Sequence, residues 1–197
     1  MTPELLTQAT NIFDSYDKWN AFIELSNVRN LIKDRYFEEL KLGLSKHFIN
    51  DVRQDWLFRP DHQYQYRWYL KDYGAESICI LMNINHIYLW CNPQLFDANL
   101  IKEYLNSPEY LSIFSCFDFT DTLSSPNLHH FCEERHRFNF NDSTSYPTNN
   151  EINHDKLSWF AGNKTEEMVQ QIAVKINRFR TPEISKLLLE LNQKCKK

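Results

Sequence analysis

Residues Gln63–Lys71 read QYQYRWYLK, and the period of this stretch decides the fold. Tyr64, Tyr66, Trp68 and Leu70 alternate with Gln65, Arg67, Tyr69 and Lys71. A side-chain period of two belongs to a strand with one apolar and one mixed face. After Tyr73-Gly74 come two further runs, SICILMN (Ser77–Asn83) and HIYLWCN (His86–Asn92), separated by Ile84-Asn85. Such spacing predicts a hairpin, and Pro93 ends its second strand. Trp56 to Asn92 therefore reads as an antiparallel meander of three or four strands.

Helix surrounds this meander. Thr2-Pro3-Glu4 offers a cap, a proline at the first helical position and an acid in the first turn. Leu5, Leu6, Ala9, Ile12 and Phe13 keep helical spacing, with a break expected near Asp14-Ser15. From Asp17 to Asn50, Trp19, Phe22, Leu25, Val28, Ile32, Tyr36, Leu40 and Leu44 recur at threes and fours, widened by Ile23, Leu31 and Phe37. This predicts one long helix or two closely spaced ones. A stripe this wide calls for a sheet on one side and a second neighbour on the other.

Beyond the meander, Leu100–Leu105 reads as a short helix, and Ser107-Pro108-Glu109 repeats the cap-proline-acid signature. DFTDTLSSPN (118–127) is a loop, HHFCEERHRFNF (129–140) a further strand, and NDSTSYPTNNEINHD (141–155) a polar loop of uncommon length. KLSWFAG (156–162) reads as a short strand. Two helices close the chain. Met168, Val169, Ile172, Ala173 and Ile176 line the first, and Ile184, Leu187, Leu188 and Leu191 the second, with a hinge at Arg180-Thr181. The expected fold is α+β in one domain, 1–197: helical over 1–50, sheet-rich over 55–160, and a C-terminal helical hairpin over 164–195. An antiparallel sheet of four to six strands would be packed by the long N-terminal helix and that hairpin.

Composition narrows the function. A chain of 197 residues can bury a core without disulfide or metal. Three glycines cannot serve both a phosphate-cradling loop and several tight turns. A formal charge of −4 disfavours nucleic acid as an obligatory partner. Five cysteines without C-x-x-C indicate a reducing compartment and no disulfide framework. With no signal peptide at Met1 and no apolar run of membrane-spanning length, the expectation is a cytoplasmic protein with no membrane partner.

The run HHFCEERHRF (129–138) concentrates metal-binding residue types. On a strand, His130, Cys132, Glu134 and His136 share one face. Four such positions span ~20 Å, so one ion could take two neighbours such as Glu134 and His136 and would need its other ligands elsewhere. Asp61-His62, His86 and His154-Asp155 could supply them. The alternative is a plain strand whose glutamates pair with arginines across the sheet, and the absence of H-x-H, H-E-x-x-H or C-x-x-C favours it. A metal-dependent hydrolase or nuclease on this strand stays as a second reading. The acid, then acid-x-lysine, order of one nuclease class is not met: Glu39-Leu40-Lys41 lies in a predicted helix, and Glu134-Arg135-His136 lacks the lysine. Neither G-x-S-x-G nor a phosphate loop is present, and GNKTEE (162–167) reads as a helix start capped by Asn163 or Thr165. Cys79 and Cys91 lie within apolar strands, which leaves Cys132 as the thiol worth testing for activation.

Catalytic patterns having mostly failed, a non-enzymatic protein-binding protein of inhibitor, immunity-protein or adaptor type is expected, with no cofactor. Its candidate binding residues are Tyr64, Tyr66, Arg67, Trp68, Tyr69 and Lys71, since Trp, Tyr and Arg dominate binding hot spots. The same aromatic and basic residues could stack bases on an open sheet, which makes a nucleic-acid-binding accessory domain the third reading. Tyr64, Tyr66 and Trp68 could equally pack on the long helix. A protein partner is favoured over nucleic acid, and a homodimer is compatible with it.

Overall fold

The computed structural model describes residues 2–49, 51, 55–62, 64–83, 86–116, 130–133 and 154–197. Among the described residues its sheet contains five strands in meander order, each antiparallel to the next: β1 (Trp56–His62), β2 (Gln65–Leu70), β3 (Cys79–Asn83), β4 (His86–Trp90) and β5 (His130–Glu133). The alternation in QYQYRWYLK holds from Gln65 onwards. Tyr66 and Trp68 are buried and pair with Met82 and Ile80 of β3, while Arg67 pairs with Leu81 on the other face. The β3–β4 hairpin joins Asn83 to His86, as its spacing predicts.

Three helices precede the sheet: α1 (Pro3–Ile12), α2 (Tyr16–Asn27) and α3 (Arg29–Ile49). The Ser15 hydroxyl caps α2 by accepting the Lys18 N–H at 3.3 Å. The long helical pattern resolves into two helices broken at Val28, although the Val28 and Ile32 amides still donate to the carbonyls of Glu24 and Val28. Phe37, Leu40, Leu44 and Phe48 form the buried stripe of α3. It lies on the Tyr66/Trp68 face of the sheet. The Phe48 ring meets Trp68 at 5.2 Å and Phe58 at 5.4 Å between centroids, and Phe37 meets Tyr64 edge-on at 4.6 Å.

The remaining helices are α4 (Ala98–Leu105), α5 (Leu111–Cys116, entered through a 3-10 turn at Pro108–Tyr110), α6 (His154–Asn163), α7 (Thr165–Asn177) and α8 (Pro182–Lys194). The expected strand at 156–162 is instead part of α6. Leu157, Phe160 and Ala161 bury at helical spacing, and α6 packs along α3. Gly162 permits that approach, because a Cβ there would overlap the Tyr36 ring. The expected caps on α7 are also corrected. Lys164 is its capping position, and the Thr165 hydroxyl donates backwards to the Ala161 carbonyl at 2.7 Å. Glu166 and Glu167 do occupy the first turn.

The closing helices meet at Arg180-Thr181, where the Thr181 hydroxyl caps α8 by accepting the Ile184 N–H. α7 lies on α3 and α6, whereas α8 contacts α5. Arg180, almost wholly buried, fixes the junction by donating to an Asp51 carboxylate oxygen at 2.8 Å and to the Asp51 carbonyl at 3.1 Å. On α8, fully buried Asn192 serves both backbone groups of Ile78. Its Oδ1 accepts the Ile78 N–H at 2.9 Å, and its Nδ2 donates to the Ile78 carbonyl at 3.2 Å. The side-chain amide thus replaces a neighbouring strand where the chain enters β3. Asn192→Leu keeps the volume but orphans two buried backbone groups, so urea unfolding should show a loss of about 2–4 kcal/mol. A change under about 0.5 kcal/mol would mean the amide does not fix α8 to the sheet.

Candidate protein-binding surfaces

The six residues expected to bind a partner divide between the two faces of β2. Tyr66 and Trp68 are core residues, each about 1% exposed. They are corrected as candidates: a side chain filling the space beneath α3 cannot also meet another molecule. Tyr64 falls in the β1–β2 turn, and its hydroxyl donates to Asp34 Oδ1 of α3 at 2.8 Å. Burial and the Asp34 carboxylate hold its pKa up at about 12. Arg67 and half-buried Tyr69 lie on the outer face, and Lys71 is exposed just beyond the strand.

The outer face is built around Arg67. Register places Arg59 of β1 directly opposite it, a like-charge pair that would be unfavourable alone. Two carboxylates separate them. Asp61 accepts from Arg59 Nε at 2.5 Å and also contacts Arg67 Nε. Glu76, from the β2–β3 loop, accepts from Arg59 Nη2 at 2.9 Å and Arg67 Nη1 at 2.8 Å, while its other oxygen accepts from Asn92 at 3.2 Å. Gly74, at φ 78°, lets this loop fold back, so that the Ala75 carbonyl accepts from Arg67 Nη1 at 2.9 Å. The Arg67 guanidinium also lies 4.0 Å above the Trp90 ring centre. Burial pushes the Glu76 carboxyl up, but its bonds to Arg59 and Asn92 and the Arg67 charge outweigh that and hold it below the ordinary value.

This network ties Arg67 to two carboxylates, while Arg67 Nε and Asp61 Oδ2 face each other as an ion pair without a hydrogen bond. Arg67 Nη1 donates to the Glu76 carboxylate and the Ala75 carbonyl, and the guanidinium face rests on an indole. The network closes the sheet by joining β1, β2 and the β2–β3 loop through charge-assisted bonds.

Of the metal candidates, His130 and Cys132 fall on β5, whose backbone pairs with β4 through Trp90↔His130 and Leu89↔Cys132. Glu134 and His136 lie outside the described residues, as do the loop at 118–127 and residues 141–153 of the loop expected over 141–155, whose last two residues instead begin α6. Among the described residues, no three His, Cys, Asp or Glu side chains stand where they could hold one ion. Cys79, Cys91 and Cys195 are buried, and burial raises all three thiols, Cys91 to about 12 and Cys195 to about 11. Two small surface depressions, beside Tyr104 and beside Tyr73, contain neither histidine nor cysteine. Among the described residues no helix is long and apolar enough to cross a membrane.

A larger apolar surface lies elsewhere. α2 has no buried residue. Nine large hydrophobic residues between Ile12 and Ile32 are each 38–77% exposed: Ile12, Tyr16, Trp19, Phe22, Ile23, Leu25, Val28, Leu31 and Ile32. They form two stripes. Tyr16, Trp19 and Ile23, with Phe22 beside them, follow helical spacing on α2, and Leu25, Val28 and Ile32 follow it across the α2–α3 break. Phe13 touches both Trp19 and Phe22, at 5.7 and 4.7 Å between ring centres, and still leaves them 47% and 42% exposed. These residues were visible in the sequence as a helical stripe. What the sequence did not reveal is that the sheet ends before reaching them.

Comparison with family models, curated proteins and solved structures returns no match for this chain.

Two expectations follow from the divided strand. Trp68→Ala should cost about 3–5 kcal/mol in chemical unfolding, while Lys71→Ala stays within about 0.5 kcal/mol. Equal effects would contradict the division. Glu76 contributes stability above its ordinary pKa that is lost as pH falls through its lowered folded value. Glu76→Gln should therefore flatten the acid side of the stability–pH profile, and an unchanged slope would show that its arginine pairs are too well solvated to matter.

Proposed function

We propose that this chain is a non-enzymatic, cytoplasmic protein-binding protein of inhibitor, immunity-protein or adaptor type, and that its docking surface is the arm formed by α1, α2 and the first turns of α3. The observation that carries this reading is an amphipathic helix with aromatic residues on its surface and none in its own core. Monomers rarely leave contiguous apolar patches above a few hundred Å² uncovered, and larger ones mark interaction sites. Trp19 and Phe22 at the centre of the stripe, with Tyr16 nearby, have the composition of a hot spot. Helix-in-groove recognition reads anchors at such threes and fours. Free thiols at Cys79, Cys91, Cys116 and Cys195 suit a reducing compartment.

The test uses the full chain from its own host. The double variant Trp19→Asp/Phe22→Asp should keep the unfolding midpoint of the wild type, because neither side chain supports the core. A protein that co-purifies with the wild type, in defined stoichiometry, should be lost from this variant. Equal recovery with both chains would exclude the arm as the docking surface.

A further inference from the structure

We infer that the arm's partner is a second copy of this chain, in an isologous dimer that buries the Trp19/Phe22 stripe of each copy against that of the other. This rests on the arm being a protein-docking surface and adds what occupies it.

Helix length shows that the arm needs a cover. α1 has 10 residues and α2 has 12. Isolated helices shorter than about 12–15 residues are marginal in water, because packing rather than propensity stabilises most helices. The described contacts supply little packing. α2 touches α3 across the Val28 break, and the Phe13 ring rests on Trp19 and Phe22.

Area indicates the size of the cover. With a large side chain carrying ~200 Å² when fully exposed, the nine partial exposures amount to roughly 900 Å² of apolar surface. A standard interface buries about 800 Å² on each partner. The Tyr16, Trp19, Phe22 and Ile23 stripe carries roughly 400 Å² of this, so the dimer reaches one full side of an ordinary interface by burying the second stripe as well.

Charge makes a second copy acceptable. Residues 1–35 carry five acids (Glu4, Asp14, Asp17, Glu24, Asp34) against four bases (Lys18, Arg29, Lys33, Arg35). Within this set Asp14 already pairs with Lys18 at 2.7 Å, and Arg29 and Lys33 share Asp155. A strongly charged arm would repel its twin and select an oppositely charged partner. This one is near neutral and mixed in sign, so an apolar stripe can meet its own copy across a two-fold axis without facing a like-charged field. Antiparallel pairing of two α2 helices across the two-fold axis places Trp19 and Phe22 at the centre of the contact.

The deciding experiment is sedimentation velocity on the untagged full chain over a wide concentration range, paired with amide hydrogen exchange of residues 3–32. The expected result is a reversible monomer–dimer equilibrium with a dissociation constant in the micromolar range or tighter. Arm exchange should slow by about tenfold or more as the dimer forms. Trp19→Asp/Phe22→Asp should weaken the dimer by roughly 30-fold or more while the unfolding midpoint of the body holds. A wild-type chain that stays monomeric throughout overturns the second copy as occupant, and exchange then separates the two remaining cases. Fast-exchanging arm amides in that monomer leave the docking reading intact with a different partner. Slow-exchanging ones place the arm against its own body, and both readings fall.

Discussion

Phe48, near the end of α3, touches Phe58 of β1 and Trp68 of β2 in one aromatic cluster, and everything else is arranged around that contact. Aromatic rings supply the largest contact areas a core can use, and edge-to-face geometry gives them a preferred orientation. Once Phe37, Leu40, Leu44 and Phe48 occupy one stripe of α3, its opposite and flanking surfaces are free to receive α6 and α7. The buried pair Arg180–Asp51 then ties the α7–α8 junction to the end of the same helix. α3 is thus the shared wall of two layers, which explains an apolar pattern wider than one face.

The opposite face of the sheet solves a different problem. Antiparallel register sets two arginines against each other. Asp61 and Glu76 neutralise the pair from both sides, and Trp90 provides a surface for the guanidinium of Arg67. The β2–β3 loop is drawn over the sheet by the same bonds. Within the strip that looks in isolation basic and aromatic, Arg67 is a crosslink, because two carboxylates already lie within bonding distance of it.

Much of this was legible in the chain. Period two over residues 65–70 and the short apolar runs after Gly74 identified the meander. The Pro3, Pro108 and Pro182 signatures each marked the start of helical structure. The misreadings have local causes. KLSWFAG is short, and four of its seven residues are apolar or aromatic, so its period is ambiguous until α3 offers a surface for Leu157, Phe160 and Ala161. Thr165 does not cap because it is already the first residue of α7, and its hydroxyl donates back to the Ala161 carbonyl. For the binding residues the alternation correctly separated two faces, yet it carried no sign of which face would be covered. Tyr66 and Trp68 were taken into the core, and Arg67 was taken into a network with Glu76, nine residues further on.

Sequence by itself determined most of the element types, the two faces of β2 and the stripe running along the N-terminal helices, since these follow from local periodicity and from caps a few residues apart. Tertiary structure alone decided which part of that stripe is buried. Phe37 to Phe48 lie over the sheet, whereas Trp19, Phe22 and Leu25 have the same spacing and remain in solvent. The distinction depends on where a sheet assembled from residues 56–133 comes to an end, and no window of local sequence contains that distance.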